Sequence, residues 1–115
     1  MKVLPSKITF ADDKTKKAFE ELKNGKSEDI RLFEFLERAF KDIEENAFCC
    51  VNIPKDQIPK LFRQKYGIDN LRKYDLPNGW RLLYSVENGQ ITVISVVLEW
   101  MLHKDYERKF GYKRS

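Results

Sequence analysis

The sequence predicts a single α+β domain over residues 1–115, in which a helical hairpin packs on an antiparallel sheet. Two observations support this fold class. Apolar residues recur every three or four positions between residues 27 and 47, which indicates one long amphipathic helix. Three segments rich in strand-forming residues follow at 70–75, 80–87 and 90–99, and turn sequences separate them. A helix face and a sheet face of this kind bury each other around one core.

Two earlier segments lead into the long helix. Residues 7–11 alternate polar and apolar side chains and predict a short strand that docks on the sheet. Residues 12–13 are both Asp and occupy the position of a helix N-cap, so a first helix is expected from there to about residue 23. An Asn-Gly pair predicts its end. We expect the second helix to begin at Ser27 and to form an antiparallel hairpin with the first.

The predicted sheet begins after an irregular segment. Residues 51–69 are interpreted as a loop with a short helix that begins at Pro59. Leu76-Pro-Asn-Gly79 predicts the first turn of the sheet, and Asn88-Gly89 predicts the second. The strand at 90–99 is apolar almost throughout, so we expect it at the sheet centre with both faces covered.

A short C-terminal helix, from about residue 102 to residue 109, completes the prediction. The expected order of elements is therefore β-α-α-(short helix)-β-β-β-α. The helical hairpin covers one face of the sheet in this arrangement, and the opposite face is expected to gather the polar strand residues.

The positive charge of the chain is concentrated in its second half. Residues 1–59 hold 11 Lys or Arg against 12 Asp or Glu, whereas residues 60–115 hold 11 against 6. This excess coincides with the predicted sheet, as expected if that half of the chain contacts a polyanion.

The compartment is expected to be the cytoplasm. The N-terminal stretch lacks the pattern of a signal peptide, and no apolar run approaches the roughly 20 residues that a membrane span requires. Cys49 and Cys50 are sequence neighbours, a spacing that disfavours a structural disulfide. Buried apolar packing is their expected role, with redox sensing as the alternative.

Alternation along the predicted strands sorts the polar side chains. Arg72 and Tyr74 share one face of their strand, and Lys73 points the other way. On the next strand the apolar face begins at Trp80 and is expected to lie under the helices. Arg81 then faces away from the helices, where it is expected to converge with Arg72 and Tyr74. Two guanidinium groups and a phenol on an open sheet face predict a phosphate-binding site.

The segment after the last strand supplies the candidates for proton transfer. His103 is the only histidine of the sequence, and histidine is the side-chain type that exchanges a proton near neutral pH. Tyr106 follows three residues later, on the same side of a helical turn. The spacing alone leaves a structural role open for both, because a single histidine or a terminal tyrosine is often a packed residue.

Other catalytic schemes lack their residues. The sequence has no nucleophile elbow, P-loop or Gly-rich dinucleotide turn, and no His or carboxylate pair with metal-ligand spacing. We therefore predict neither a cofactor nor a metal ion. An acid–base mechanism that needs no metal is the main catalytic option.

Three motifs resemble the RelE/ParE superfamily of type II toxins. Gly79-Trp-Arg-Leu-Leu-Tyr84 is similar to the family's Gly-aromatic-Arg-hydrophobic-hydrophobic-Tyr strand. Val93-Ile-Ser-Val96 and His103-Lys-Asp-Tyr106 are similar to its final strand and its His-Arg-…-Tyr ending. The motif match covers about residues 70–112, and the predicted order of elements matches throughout.

The resemblance implies a RelE-like mRNA interferase, the toxin component of a toxin–antitoxin system. Such an enzyme cuts ribosome-bound mRNA by attack of a ribose 2′-hydroxyl on the adjacent phosphate, without metal. The resemblance aligns Arg81 with the family's phosphate-stabilising arginine. It aligns His103 and Tyr106 with the family's acid–base positions. The RNA-contacting candidates are Arg72, Lys73, Tyr74, Lys104 and Arg108. The implied partners are a cognate antitoxin, mRNA and the ribosome.

Three departures keep other functions open. The insert at 51–69 lengthens the chain, and Leu98-Glu-Trp-Met-Leu is more apolar than the corresponding ending of ribosome-dependent enzymes. Glu99 is also expected to bring a negative charge near the site. The alternatives are a ParE-like inhibitor of DNA gyrase and a non-catalytic member that only binds a partner.

Overall fold

The computed structural model describes residues 3–88 and 93–111 and has a mixed α+β fold, as predicted. In chain order the elements are β1 (Lys7–Phe10), α1 (Asp13–Glu21), α2 (Ser27–Glu45), β2 (Val51–Ile53), α3 (Lys60–Tyr66), β3 (Leu71–Asp75), β4 (Trp80–Asn88), β5 (Val93–Leu102) and α4 (His103–Phe110). Within the described ranges, none of the helices has the length and apolar character needed to cross a bilayer.

The helix starts follow their capping residues. The Asp12 carboxylate accepts a hydrogen bond from the backbone N–H of Thr15 at 2.7 Å, which makes it the N-cap of α1. Hydrogen bonding from the Thr15 side chain, followed by that from its backbone N–H, holds the pKa of Asp12 below its ordinary value. Helix α2 begins at Ser27, as predicted, and Asp29 in its first turn accepts a hydrogen bond from the backbone N–H of Lys26 at 3.1 Å.

The five strands form one sheet in the order β1-β5-β4-β3-β2, which is mixed and not antiparallel throughout as predicted. Strand β1 runs parallel to β5, and the other neighbouring pairs are antiparallel. The central strand is β4, so the prediction that 90–99 forms the centre is wrong by one position in the strand order. Strand β2 was not predicted, because its three residues are too few to show an alternating pattern. The predicted Asn88-Gly89 turn extends beyond the described residues.

Helices cover both faces of this sheet. Helix α2 packs on one face, where its buried side chains meet Leu82 and Tyr84 of β4. Helices α3 and α4 cover much of the other face through Phe62 and Tyr106, which pack with Leu83. The expectation of an open polar face opposite the hairpin is therefore wrong, because the insert at 51–69 and the C-terminal helix supply a second apolar layer.

A β-bulge interrupts the pairing of β4 with β5. Leu83 pairs with Glu99, but the next residue, Tyr84, pairs with Val97, so Leu98 is an extra residue in β5. Leu98 is buried with Leu83 in the core on the α3 and α4 side. The bulge thus directs two consecutive side chains, those of Leu98 and Glu99, to the same face of the sheet.

Candidate active site

The turn between β3 and β4 determines which side chains meet. The backbone N–H of Leu76 donates to Trp80 O at 2.9 Å, so the turn itself contains only residues 77–79. Asn78 (φ 63°) and Gly79 (φ 81°) both take the left-handed conformation, which asparagine and glycine adopt more readily than other residues. The turn is therefore one residue shorter than the four-residue turn predicted from the sequence.

The shorter turn changes the face of two predicted site residues. Arg72 pairs with Tyr84 on the face that α2 covers, and Tyr74 lies further along that face. Arg81 pairs with Asp75 on the opposite face. The predicted convergence of Arg72 and Tyr74 with Arg81 is therefore wrong, since a change of one residue in register moves every side chain to the other face.

Arg72 and Tyr74 bind groups of the protein itself. One guanidinium nitrogen of Arg72, Nη2, lies 3.2 Å from Phe48 O and 2.6 Å from Cys50 O, and it donates to both. The guanidinium also lies 5.0 Å from the centroid of the Phe48 ring. The Tyr74 hydroxyl donates to the Asp42 carboxylate, and burial followed by this hydrogen bond raises the pKa of Tyr74. These contacts fasten β2 and α2 to the sheet and leave neither group directed at a ligand.

Arg81 and His103, in contrast, come together. Arg81 Nη2 lies 3.0 Å from His103 Nδ1. Arg81 Nη1 donates to Trp80 O at 3.0 Å, and Arg81 Nε lies 3.1 Å from Asp75 Oδ1. Only 16% of the Arg81 side chain is exposed, and its guanidinium lies against a carbonyl, a carboxylate and an imidazole.

Lys73 brings a second cation to the same face. Its Nζ lies 3.6 Å from Asp75 Oδ1, so Asp75 binds both Lys73 and Arg81. The Nζ also lies 5.1 Å from the centroid of the Tyr106 ring, a cation–π contact that joins β3 to α4. Lys73 therefore occupies the position beside Arg81 that the sequence had assigned to Arg72 and Tyr74.

Tyr106 is part of the core. It is 1% exposed, and its ring stacks on that of Phe110 with 4.2 Å between the centroids. A substrate that contacts the ring would have to displace α4. The structure places Tyr106 near Lys73, but it does not support the predicted role of a tyrosine that contacts substrate.

The imidazole of His103 borders a cleft of about 480 Å³ at the end of the sheet. Its side chain is 41% exposed, and its Nε2 lies 3.5 Å from Glu107 Oε1, one turn further along α4. The cleft is lined by Asn78, Gly79, Leu102, His103, Lys104 and Glu107. A ligand in this cleft would therefore reach His103 from the side of the β3–β4 turn.

The remaining predicted residues lie at different distances from this cleft. Lys104 is exposed and lines it, whereas Arg108 lies 3.5 Å from Asp105 on the surface of α4. Glu99 binds α3: the Tyr66 hydroxyl donates to its carboxylate at 2.7 Å, and Lys65 Nζ lies 3.8 Å away. The charge of Glu99 is thus directed at α3 and not at the site, so the expectation that it would oppose the site is wrong.

The sequence did not single out two acidic members of the site. Asp75 lies two residues after Lys73 and so shares its strand face, and Glu107 lies four residues after His103 and so shares its helix face. Both spacings can be recognised in the sequence. No feature of the sequence favoured them over other acidic residues until the register of β3 and the start of α4 were known.

The arrangement can bind an anion and exchange a proton next to it. Arg81 and Lys73 supply positive charge, and His103 supplies a nitrogen that can accept or donate a proton. Comparisons with protein-family models, with curated proteins and with solved structures found no match for this chain.

Proposed function

We propose that the chain is the toxin component of a type II toxin–antitoxin system, a RelE-like, metal-independent endoribonuclease that cleaves ribosome-bound mRNA in the cytoplasm. The observation that carries this proposal is the 3.0 Å contact between Arg81 Nη2 and His103 Nδ1. The two residues come from different motifs of the resemblance, 22 positions apart. His103 lines an open cleft and Arg81 lies directly behind it, an arrangement that suits a proton-transfer group beside a phosphate-activating arginine.

The proposed reaction uses the phosphate itself as the electrophile. The ribose 2′-oxygen bonds to phosphorus while the bond from phosphorus to the 5′-oxygen breaks, which yields a cyclic phosphate and a free 5′-hydroxyl. His103 takes the 2′-hydroxyl proton or gives one to the departing 5′-oxygen, and water completes the other transfer. Arg81, with Lys73 behind Asp75, stabilises the charge that grows on the phosphate oxygens.

Induced expression in a bacterial host tests the proposal. The wild-type chain is expected to arrest growth and to produce cuts in translated mRNA. Arg81→Ala and His103→Ala are each expected to lower cleavage by about 100-fold or more. Arg38→Ala, which removes an exposed charge from α2, is the matched control and should retain full activity. Circular dichroism of the purified variants establishes that they are folded.

Two results would reject parts of this proposal. Undiminished arrest and cleavage by Arg81→Ala and His103→Ala would eliminate the assigned site. Growth arrest with DNA damage and intact mRNA would replace RNA cleavage by the ParE-like inhibition of gyrase.

A non-catalytic, partner-binding role is the second candidate, and two observations favour it. Asp75 already forms ion pairs with both Arg81 and Lys73, and Tyr106 is buried in the core. A chain with these features would bind a partner, such as its antitoxin, without cutting RNA. Absence of toxicity, together with absence of RNA binding even at low salt, would favour this role, because phosphate-driven binding strengthens as salt falls.

A further inference from the structure

The geometry around His103 determines which of its nitrogens carries the proton. The arginine guanidinium has only hydrogen-bond donors. Arg81 Nη2 lies 3.0 Å from His103 Nδ1, so this nitrogen must act as the acceptor and carries no proton. The imidazole is then neutral, with its proton on Nε2.

Glu107 lies on the side of the ring where that proton is found. Its Oε1 is 3.5 Å from His103 Nε2, and its side chain is only 20% exposed. A carboxylate near Nε2 stabilises a proton there and disfavours the other tautomer, in which Nε2 would present a lone pair to it. His103 and Glu107 lie four residues apart on α4, so the helix places both side chains on the same face.

The other charged groups near the imidazole leave this assignment intact. Among the residues that the structure describes, the facing group from β4 is Arg81 and the facing group from α4 is Glu107. Asp75 and Lys73 of β3 reach Arg81 and each other. Lys104 lines the same cleft as an exposed side chain.

We propose that Glu107 is a positioning residue that, with Arg81, holds His103 as the neutral Nε2–H tautomer and so makes Nδ1 the accepting nitrogen of the site. The tautomer stands on the geometry alone. Its catalytic consequence rests on the proposed ribonuclease function. A phosphate that draws Arg81 to its own oxygens would uncover the Nδ1 lone pair, which then accepts the 2′-hydroxyl proton. His103 is thus the base of the reaction.

Nitrogen NMR of the uniformly ¹⁵N-labelled full chain tests the tautomer directly, because the chain has only one histidine. In the wild-type chain, above the pH at which the imidazole is protonated, Nδ1 should resonate as a pyridine-type nitrogen and Nε2 as a pyrrole-type nitrogen. Glu107→Gln leaves Arg81 as the remaining group that favours this tautomer, so it should move both resonances part of the way toward the average of a tautomer mixture. Asp105→Asn is the matched control, since it removes one carboxylate from the same helix without a contact to the imidazole, and it should leave both resonances unchanged.

Kinetics supply the catalytic arm of the test. Glu107→Gln is expected to lower the kcat for RNA cleavage by about 10-fold with KM unchanged, as for a group that acts on the base and not on substrate binding. A pyrrole-type Nδ1 in the wild-type chain, or identical nitrogen resonances in wild type and Glu107→Gln, would overturn the proposal. A wild-type chain that cleaves no RNA would reject the proposed function, while the resonances would still decide the tautomer.

Discussion

Arg72 and Arg81 project from opposite faces of the sheet, although their strands are neighbours. Arg72 pairs with Tyr84 on the face that α2 covers. Arg81 pairs with Asp75 on the opposite face, where α4 lies. A single phosphate cannot bridge the two guanidinium groups across the sheet. The two arginines therefore have separable roles, one in stability and one at the site.

Replacement of Arg72 tests its structural role. Arg72→Lys keeps the charge but loses the Nη2 nitrogen that donates to the backbone carbonyls of Phe48 and Cys50, which the shorter lysine side chain does not reach in the same way. We expect the free energy of unfolding, measured by urea titration, to fall by about 1–3 kcal/mol. The control is Arg38→Lys, the same exchange at an exposed position of α2, which should change stability little. If Arg72→Lys instead weakens RNA binding and leaves stability intact, Arg72 belongs to the binding surface after all.

Asp75 tests whether the cations beside it contact phosphate. Asp75→Asn removes the carboxylate that lies 3.1 Å from Arg81 Nε and 3.6 Å from Lys73 Nζ. The positive potential at the site then rises, and single-stranded RNA should bind about 3- to 10-fold more tightly at low salt. Filter binding across a salt series measures this change.

The matched control for that experiment is Asp56→Asn. It raises the net charge by the same amount at an exposed turn after β2. Equal gains in affinity for both variants would mean that overall charge, and not the site, attracts the RNA.

Alkaline pH should destabilise the chain in a specific way. Burial, followed by hydrogen bonding to Glu99, Asp42 or Cys50 respectively, raises the pKa of Tyr66, Tyr74 and Tyr84 above the ordinary value of 10.0. The folded chain therefore keeps these protons to a higher pH than the unfolded chain does. Their contribution to stability is complete below pH 10.0 and is lost as the pH rises through the folded pKa values.

Urea titrations at a series of pH values from about 8 to 11 would measure this loss. Tyr66→Phe should make the decline above pH 10.0 less steep, because one proton fewer is released on unfolding. A wild-type stability that stays constant across the series would contradict the expectation, as would an equal slope in the variant.

The thiol of Cys49 should react slowly with alkylating reagents. Although the residue is exposed overall, partial burial of its sulfur and the neighbouring Cys50 raise the pKa of Cys49 from 9.0 to about 11. Since the thiolate is the reactive form, alkylation by iodoacetamide, followed by mass spectrometry, should be slow at neutral pH and should accelerate up to about pH 11. Cys50→Ser, which removes the neighbouring thiol, should speed the reaction. Alkylation at neutral pH as fast as that of an unstructured cysteine peptide would support the redox-sensing alternative instead.

The parts of the fold that the sequence predicted are those that depend on long local patterns. The apolar stripe of α2 and the alternation that begins at Trp80 extend over many residues. The buried face of α2 and the face of β4 that packs against it were therefore predicted correctly. The failures arose where one residue decides the outcome. The left-handed conformation of Asn78 shortened a turn and changed the partners of Arg72 and Tyr74, and no pattern in the flanking strands reports on that conformation.

The site was only partly predictable for a related reason. Arg81 and His103 could be named from their chemistry and from the resemblance, but their contact depends on the pairing of β4 with β5 and on the residue at which α4 begins. The alternation of residues within one strand predicts which face of the sheet a side chain occupies. It does not predict which residue of the next strand or helix lies beside that side chain. Asp75 and Glu107 therefore emerged only when tertiary structure brought them to these two residues.

The bulge at Leu98 has a consequence for how this chain could change in length. Leu83 pairs with Glu99 and Tyr84 pairs with Val97, so Leu98 has no partner on β4. Deletion of Leu98 would therefore remove the bulge and leave the pairing of β5 with β4 unchanged on both sides of it. The loss would be one buried side chain, whose cost is that of a cavity, while Glu99 and the start of α4 would keep their orientation. A deletion elsewhere in the last half of β5 would turn His103 away from Arg81. The extra residue therefore marks a position where evolution can shorten the strand and still retain the geometry beyond it.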